Sequence, residues 1–291
     1  MIVDLFAGPG GWSEGLRMLD PDLYKTEIGL EWDAAACETR AAAGHATIQA
    51  DVSQFPVEQF VGRTTGLIAS PPCQDFSVAG LQAGVDGERG RLITEVVRWG
   101  EALRPEWIVC EQVTPALPLW KDYALHFSTL GYSTWCGNLN AADYGVPQTR
   151  KRAILIASRK HTVTVPPPTH CEPKKNDGTM NNWVTIEQAT GYSGVVNSGC
   201  AHYGKGRDFA IKMNAWERPS ITVTTKVGSQ WHLYLDSGDH RLLSTEEVLA
   251  LQSFRKDYPV AGNKGQIFSQ VGNAIPPLLA FHVLKMAVSG G

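Results

Sequence analysis

The 291-residue chain lacks the features that would send it to a membrane, a metal or an oxidising compartment. No apolar run approaches the roughly 18 residues that cross a bilayer. The opening Met1-Ile2-Val3-Asp4-Leu5 reads as a strand, with no basic region or apolar signal core. The six cysteines (Cys37, Cys73, Cys110, Cys136, Cys171 and Cys200) include no Cys-x-x-Cys pair and no metal-like grouping with histidine. Free thiols in a reducing cytoplasm, and no metal site, are the expectation. Gly-x-Gly-x-x-Gly and a Walker lysine are both missing, which removes two phosphate-binding signatures. Internal repeats and low-complexity segments are missing too. With 43% hydrophobic and 19% charged residues, the chain is not globally disordered, and its length allows one or two domains.

An excess of positive charge is also missing overall, since the net charge is −3. The distribution is uneven, however. Residues 145–230 hold 12 Lys and Arg against 5 Asp and Glu, a net +7, while the remainder holds 14 against 24, a net −10. A basic segment on an acidic body is a footprint for a polyanion.

The first 160 residues alternate β-rich runs (Ile2–Phe6, Thr26–Glu31, Gly66–Ser70, Trp107–Glu111, Tyr132–Asn138 and Arg152–Ser158) with amphipathic stretches (Trp12–Leu19, Asp33–Ala42 and Leu92–Leu103). Such alternation predicts an α/β fold with a mostly parallel sheet and a ligand site off the carboxyl ends of its strands. From Val165-Pro166-Pro167-Pro168 to about residue 230 the chain turns rich in Gly, Asn, Ser and Thr, and reads as a small, loop-rich insert. Two domains are expected: 1–160 with 231–291, and 161–230. Ser244-Thr245-Glu246-Glu247 has the form of a helix start, and Pro276-Pro277 opens a final apolar helix.

The segment Asp4-Leu5-Phe6-Ala7-Gly8-Pro9-Gly10-Gly11 joins the first strand to a helix, so a ligand can approach its backbone closely. The second strand ends in Glu31-Trp32, a carboxylate for ribose hydroxyls and a ring for adenine. After the strand Gly66–Ser70 comes Pro71-Pro72-Cys73-Gln74-Asp75-Phe76-Ser77. A lone cysteine is usually a small buried hydrophobe, but two prolines at a strand exit fix the chain around a presented thiol. Further on stand Arg89-Gly90-Arg91-Leu92, Gln148-Thr149-Arg150-Lys151-Arg152 and Gln270-Val271-Gly272-Asn273-Ala274.

In this order and spacing, these five motifs make the chain resemble the DNA cytosine-5 methyltransferases over nearly its whole length. The resemblance implies a Rossmann-like, S-adenosylmethionine-dependent methyltransferase fold with a small recognition domain. It implies methylation at carbon 5 of a flipped-out cytosine in a short sequence of double-stranded DNA. Cys73 would add to carbon 6, Glu111 would serve as the acid, and Arg150 and Arg152 would complete the catalytic group, with Arg152 contacting the base. Cofactor positions would be Phe6, Ala7, Gly8, Gly10, Gly11, Glu31, Trp32, Asp51, Val52, Pro71, Leu92 and Asn273. DNA contacts would come from Gln74, Ser77, Arg89, Gln148, Lys174, Lys175, Lys205 and Arg207, with Lys212 a further candidate. A restriction–modification role beside a cognate nuclease, and a cytoplasmic monomer, complete the expectation.

One position breaks the family pattern. Where the family has Glu-Asn-Val, this chain has Glu111-Gln112-Val113, so a hydrogen bond made by the shorter amide must be re-routed. Two rival readings remain: a tRNA cytosine methyltransferase, although the Cys-Phe-Thr string of that group is missing, and a DNA-binding regulator on the same fold.

Overall fold

The opening Ile2-Val3-Asp4-Leu5 is a fully buried strand, and such strands need both faces covered, as in a parallel sheet. The computed structural model describes residues 1–72, 90–198, 211–235 and 237–291, with Gly90 and Ser229 described by backbone alone. The chain begins β1 (Ile2–Leu5), α1 (Gly11–Leu19), α2 (Pro21–Tyr24), β2 (Glu27–Glu31), α3 (Ala34–Ala42), β3 (Thr47–Gln49) and β4 (Gly66–Ala69). There follow α4 (Glu95–Leu103), β5 (Trp107–Gln112), α5 (Leu117–Thr129), β6 (Ser133–Asn140), β7 (Gln148–Thr149) and β8 (Lys151–Ser158). Next come β9 (His170–Cys171), β10 (Asn181–Asn182), α6 (Ile186–Thr190), β11 (Val195–Asn197), β12 (Lys212–Asn214) and β13 (Ser220–Ile221). The chain closes with α7 (Val227–Gln230), β14 (His232–Tyr234), β15 (His240–Leu242), α8 (Thr245–Leu251), α9 (Lys264–Asn273) and α10 (Pro277–Ser289).

Packing divides the chain into two units, one of 1–139, 151–167 and 280–291, the other of 140–150 and 168–279. In the first, seven strands lie in the order β3-β2-β1-β4-β5-β8-β6. Five run parallel, and β8 runs antiparallel to β5. The α/β, mostly parallel fold predicted from the sequence is therefore present. From β1 the chain goes outward through β2 to β3, then returns to the other side of β1 for β4 and β5. The order thus switches between β1 and β4, where open α/β sheets leave a crevice beyond the carboxyl ends of their strands. Beneath it lies an apolar core of Val3, Leu5, Leu30, Leu67, Trp99, Ile108 and Leu155.

The second unit holds a four-stranded antiparallel sheet, β12-β11-β14-β15, and short pairs β9–β10 and β7–β13. Three of its helices, α6, α8 and α9, begin where side chains supply missing hydrogen-bond partners. Thr185 with Gln188, Ser244 with Glu247, and Asn263 with Gln266 each form a reciprocal cap. This division differs from the expected one, which returned residues 231–291 to the first domain. Residues 231–279 stay with the second unit because α8 packs on α6 and α9, and α9 on α7. The stretch Lys264–Ser289 is long and apolar enough to cross a membrane, but 67% of its most apolar window is buried. Residues 274–276 also split it into α9 and α10, which reads as core rather than as a span.

Candidate active site

The glycine-rich turn after β1 requires unusual backbone. Phe6, Gly8 and Gly10 have φ of 57°, 53° and 100°, in the left-handed region that glycine enters freely and phenylalanine does not. A Cβ built on Gly8 meets nothing within 4 Å, so the turn borders open space. The Gly8 amide donates to Glu31 Oε2 at 2.8 Å, while Trp32 and Asp33 amides donate to Oε1 at 2.9 Å each. Three backbone donors thus hold the Glu31 carboxylate at the end of β2 and tie it to the turn. Beside it, Trp32 is 66% exposed and presents a bare aromatic face.

Below the turn is a buried charge cluster that the sequence did not announce. Arg40, fully buried on α3, pairs with Glu27 Oε1 at 2.8 Å and lies 3.9 Å from Asp4 Oδ2. It also donates to Thr47 Oγ1 at 2.8 Å, Ser13 Oγ at 3.0 Å and the Ala7 carbonyl at 3.5 Å. Ser13 in turn donates to Glu27 at 3.0 Å. Burial holds the Asp4 carboxyl well above the usual carboxylate range, with Arg40 opposing and Glu27 and Glu31 adding to the rise. Gly29 makes room for this cluster: a Cβ there would lie 2.2 Å from Arg40 Nη2 and 2.8 Å from Ala7 Cβ. The available signal was a second glutamate, Glu27, at the start of β2, and an arginine on a helix of small residues.

The exits of β1 and β4 are joined directly. Buried Trp12 of α1 donates its indole N–H to Ser70 Oγ at 2.8 Å, and the Ser70 amide donates to the Leu5 carbonyl at 3.3 Å. Pro71 is buried and Pro72 half-buried. The expected nucleophile Cys73 and the expected contacts Gln74, Ser77, Arg89, Lys205 and Arg207 lie outside the described residues. Burial pushes the thiols of Cys37, Cys110 and Cys136 up, so none of these three is set to ionise.

At the end of β5, Glu111 forms an ion pair with Arg152 Nε at 2.8 Å, the two side chains 8% and 13% exposed. The register that places Glu111 opposite Ile154 and Gln112 opposite Ala153 brings Arg152 to this end of the strand. Glu111 and Arg152, both expected in the catalytic group, are thus in direct contact. Arg150 does not join them. It is 1% exposed, within the second unit, and donates from Nη1 to the Val223 carbonyl at 2.9 Å and from Nη2 to the Gly272 carbonyl at 2.8 Å. Its guanidinium holds these two backbone carbonyls, where the expectation was a part in the catalytic group. Gln148 is held likewise. It is fully buried, donates to the Leu251 carbonyl and to Gln252 Oε1, and accepts from the Val223 amide, so it has no face for DNA.

The remaining expected positions are spread over both units. In the first, Asp51 is exposed and accepts from Ser53, Val52 is buried, and Leu92 is half-buried. In the second, Asn273 is exposed at the last turn of α9, while Lys174 and Lys175 are exposed and Lys175 pairs with Glu172 at 2.7 Å.

The sequence matches the family model for C-5 cytosine-specific DNA methylase over residues 1–192 and 172–289. It is 29% identical over 320 residues to the Type II methyltransferase M1.HphI of Haemophilus parahaemolyticus, covering 96% of this chain and 84% of that protein. It is 26% identical to M.NgoFVII of Neisseria gonorrhoeae, covering 95% and 83%. Among solved structures, a prophage-encoded DNA modification methyltransferase from E. coli, described as putative, aligns with TM-score 0.64 at 20% identity over 98% of this chain and 97% of the other. The methyltransferase EhMeth of Entamoeba histolytica aligns with TM-score 0.72 at 12% identity over 99% and 98%.

Proposed function

The chain belongs to the C-5 cytosine-specific DNA methylase family, and from that premise we propose which of its residues carry out the methylation of cytosine carbon 5 in DNA. The observation that carries the reading is the Glu111–Arg152 pair at the end of β5, in the same sheet as the Glu31-braced glycine turn after β1.

S-adenosylmethionine, when bound, supplies an electrophilic methyl on a sulfonium. The residues present fit it. The open turn at Gly8 admits close approach, the braced Glu31 carboxylate retains lone pairs for a ribose diol, and exposed Trp32 offers a face to adenine. Phe6, Ala7, Gly10, Gly11, Asp51, Val52, Pro71, Leu92 and Asn273 complete the proposed set.

Carbon 5 of cytosine is too poor a nucleophile to be alkylated unaided. The thiolate of Cys73 forms a bond to carbon 6, breaking the 5,6 π bond and making carbon 5 enamine-like. Glu111 holds a proton at cytosine N3 as negative charge develops on the ring, and Arg152 keeps that carboxyl in place. After methylation, loss of the C5 proton to solvent restores the double bond and expels the thiolate. The basic stretch 145–230 holds the duplex, with Lys174 and Lys175 contacting phosphates and Lys205, Arg207 and Lys212 nearer the choice of sequence. We read the protein as a cytoplasmic monomer that protects a short site against a cognate nuclease. That reading is supported by its likeness to bacterial proteins named as Type II methyltransferases.

Bisulfite sequencing of DNA from expressing cells tests the activity and reports the site. Methylated cytosines in one short sequence are expected, abolished by Cys73→Ser. Unmodified DNA, or methylation confined to tRNA, would overturn the assignment.

A further inference from the structure

We propose that Gln112, beside the acid on β5, positions the nucleophile, an inference that rests on the reading of Cys73 given above. Gln112 follows Glu111 on β5, so the two side chains leave the strand on opposite faces. Glu111 turns to Arg152, and Gln112, 1% exposed, turns to the exit of β4. Its Nε2 donates to the Pro71 carbonyl at 2.9 Å and to the Pro72 carbonyl at 3.4 Å. Its Oε1 accepts the Val113 amide at 2.7 Å. That third bond fixes which way round the amide lies, because a flipped amide would set oxygen against two carbonyl oxygens and N–H against N–H.

Prolines explain why such a donor is needed. Ser70 is the last residue before the prolines to bond back to the sheet, through the Leu5 carbonyl. Pro71 and Pro72 have no N–H, so neither can be held through its own donor. The pyrrolidine rings fix φ but leave ψ open. The Pro72 carbonyl lies in the same rigid peptide plane as the bond to residue 73, so whatever holds that oxygen sets the direction in which the chain leaves Pro72. Gln112 holds it, and holds the Pro71 carbonyl as well. An asparagine would fall short by one carbon–carbon bond, about 1.5 Å, and lose at least one of the two contacts. Because Gln112 and Glu111 are neighbours on one rigid strand, the tether also fixes the start of the thiol-bearing chain relative to the acid.

The test isolates addition of the thiol from transfer of the methyl group. DNA carrying tritium at cytosine C5 is incubated with the enzyme and S-adenosylhomocysteine. The Sγ–C6 bond forms as the π bond breaks, water protonates C5, and loss of tritium with expulsion of the thiolate restores the base and releases tritiated water. Gln112→Ala should slow release by roughly 10- to 100-fold, the worth of two hydrogen bonds, with DNA and S-adenosylhomocysteine affinities unchanged. Gln112→Glu, which presents oxygen to both carbonyls, should be at least as slow. Gln112→Asn, expected to fold and to keep one contact, should lie between Ala and wild type, and this variant carries the test if Gln112→Ala melts. Wild-type rates in a folded Asn or Ala variant overturn the positioning role alone. A wild-type protein that releases no tritium and forms no adduct with 5-fluorocytosine DNA overturns the functional reading with it.

Discussion

Two strand exits meet at the switch point of the sheet, and they are braced in opposite ways. The turn after β1 rests on buried charge, with Arg40 gripping Glu27 and Ser13 below it and Glu31 gripping its amides above. The exit of β4 rests on a neutral side chain, Gln112, whose amide holds two proline carbonyls. The difference follows from what each exit carries. Fixed charge is tolerable beneath a loop that must only keep its shape. At the exit of β4 the held groups are two backbone carbonyls, and a neutral amide N–H meets them without adding a buried charge.

Removing charge from the first brace should have the largest effect. Arg40→Met leaves Glu27 buried without its cation and should cost about 3–5 kcal/mol, read as a lowered urea midpoint. A midpoint within error of wild type would mean that the cluster does not brace the turn. Next, Glu31→Gln should weaken S-adenosylhomocysteine binding by roughly 10- to 100-fold by calorimetry, and an unchanged affinity would remove Glu31 from the cofactor site. Trp32→Ala should weaken the same binding by only about 3- to 10-fold with an unchanged urea midpoint; a large loss of stability would show that the exposed ring packs on protein instead.

The smallest effect concerns the shape of a pH profile. Because burial raises Asp4 above its ordinary 3.8, its folded form keeps a proton that the unfolded chain has released. Its contribution to stability is fully present below that value and is lost as pH rises through the folded one. Asp4→Asn should flatten the decline, measured as urea midpoints across pH. A decline as steep as that of wild type would show that Asp4 does not hold the proton.

Much of this was legible in the sequence, for physical reasons. Strands buried in the middle of a sheet are short apolar runs, so β1, β2, β4, β5 and β8 stand out to within two residues, and glycines or prolines mark several of the turns that follow. The short edge strand Thr47–Gln49 was not seen, because it is only partly buried and has no strong alternation. Gln148-Thr149-Arg150-Lys151-Arg152 misled in part. Polar side chains suggest a surface, yet Gln148 and Arg150 are buried and bond to the backbone of Val223, Leu251 and Gly272, and no local pattern reveals partners 73 to 122 residues away. Gln112 was visible as a departure, but only coordinates reveal what its longer arm reaches.

The fit of Gly29 against Arg40 also constrains how this chain can drift. A methyl group at position 29 would intrude on a guanidinium that is buried and bonded on several sides, with no outlet to solvent. Replacing Arg40 first would leave Glu27 stranded. Each single step is therefore penalised even where the double change is tolerable. The two positions should be inherited as a pair, and a relative carrying a side chain at the equivalent of Gly29 should also have given up the arginine.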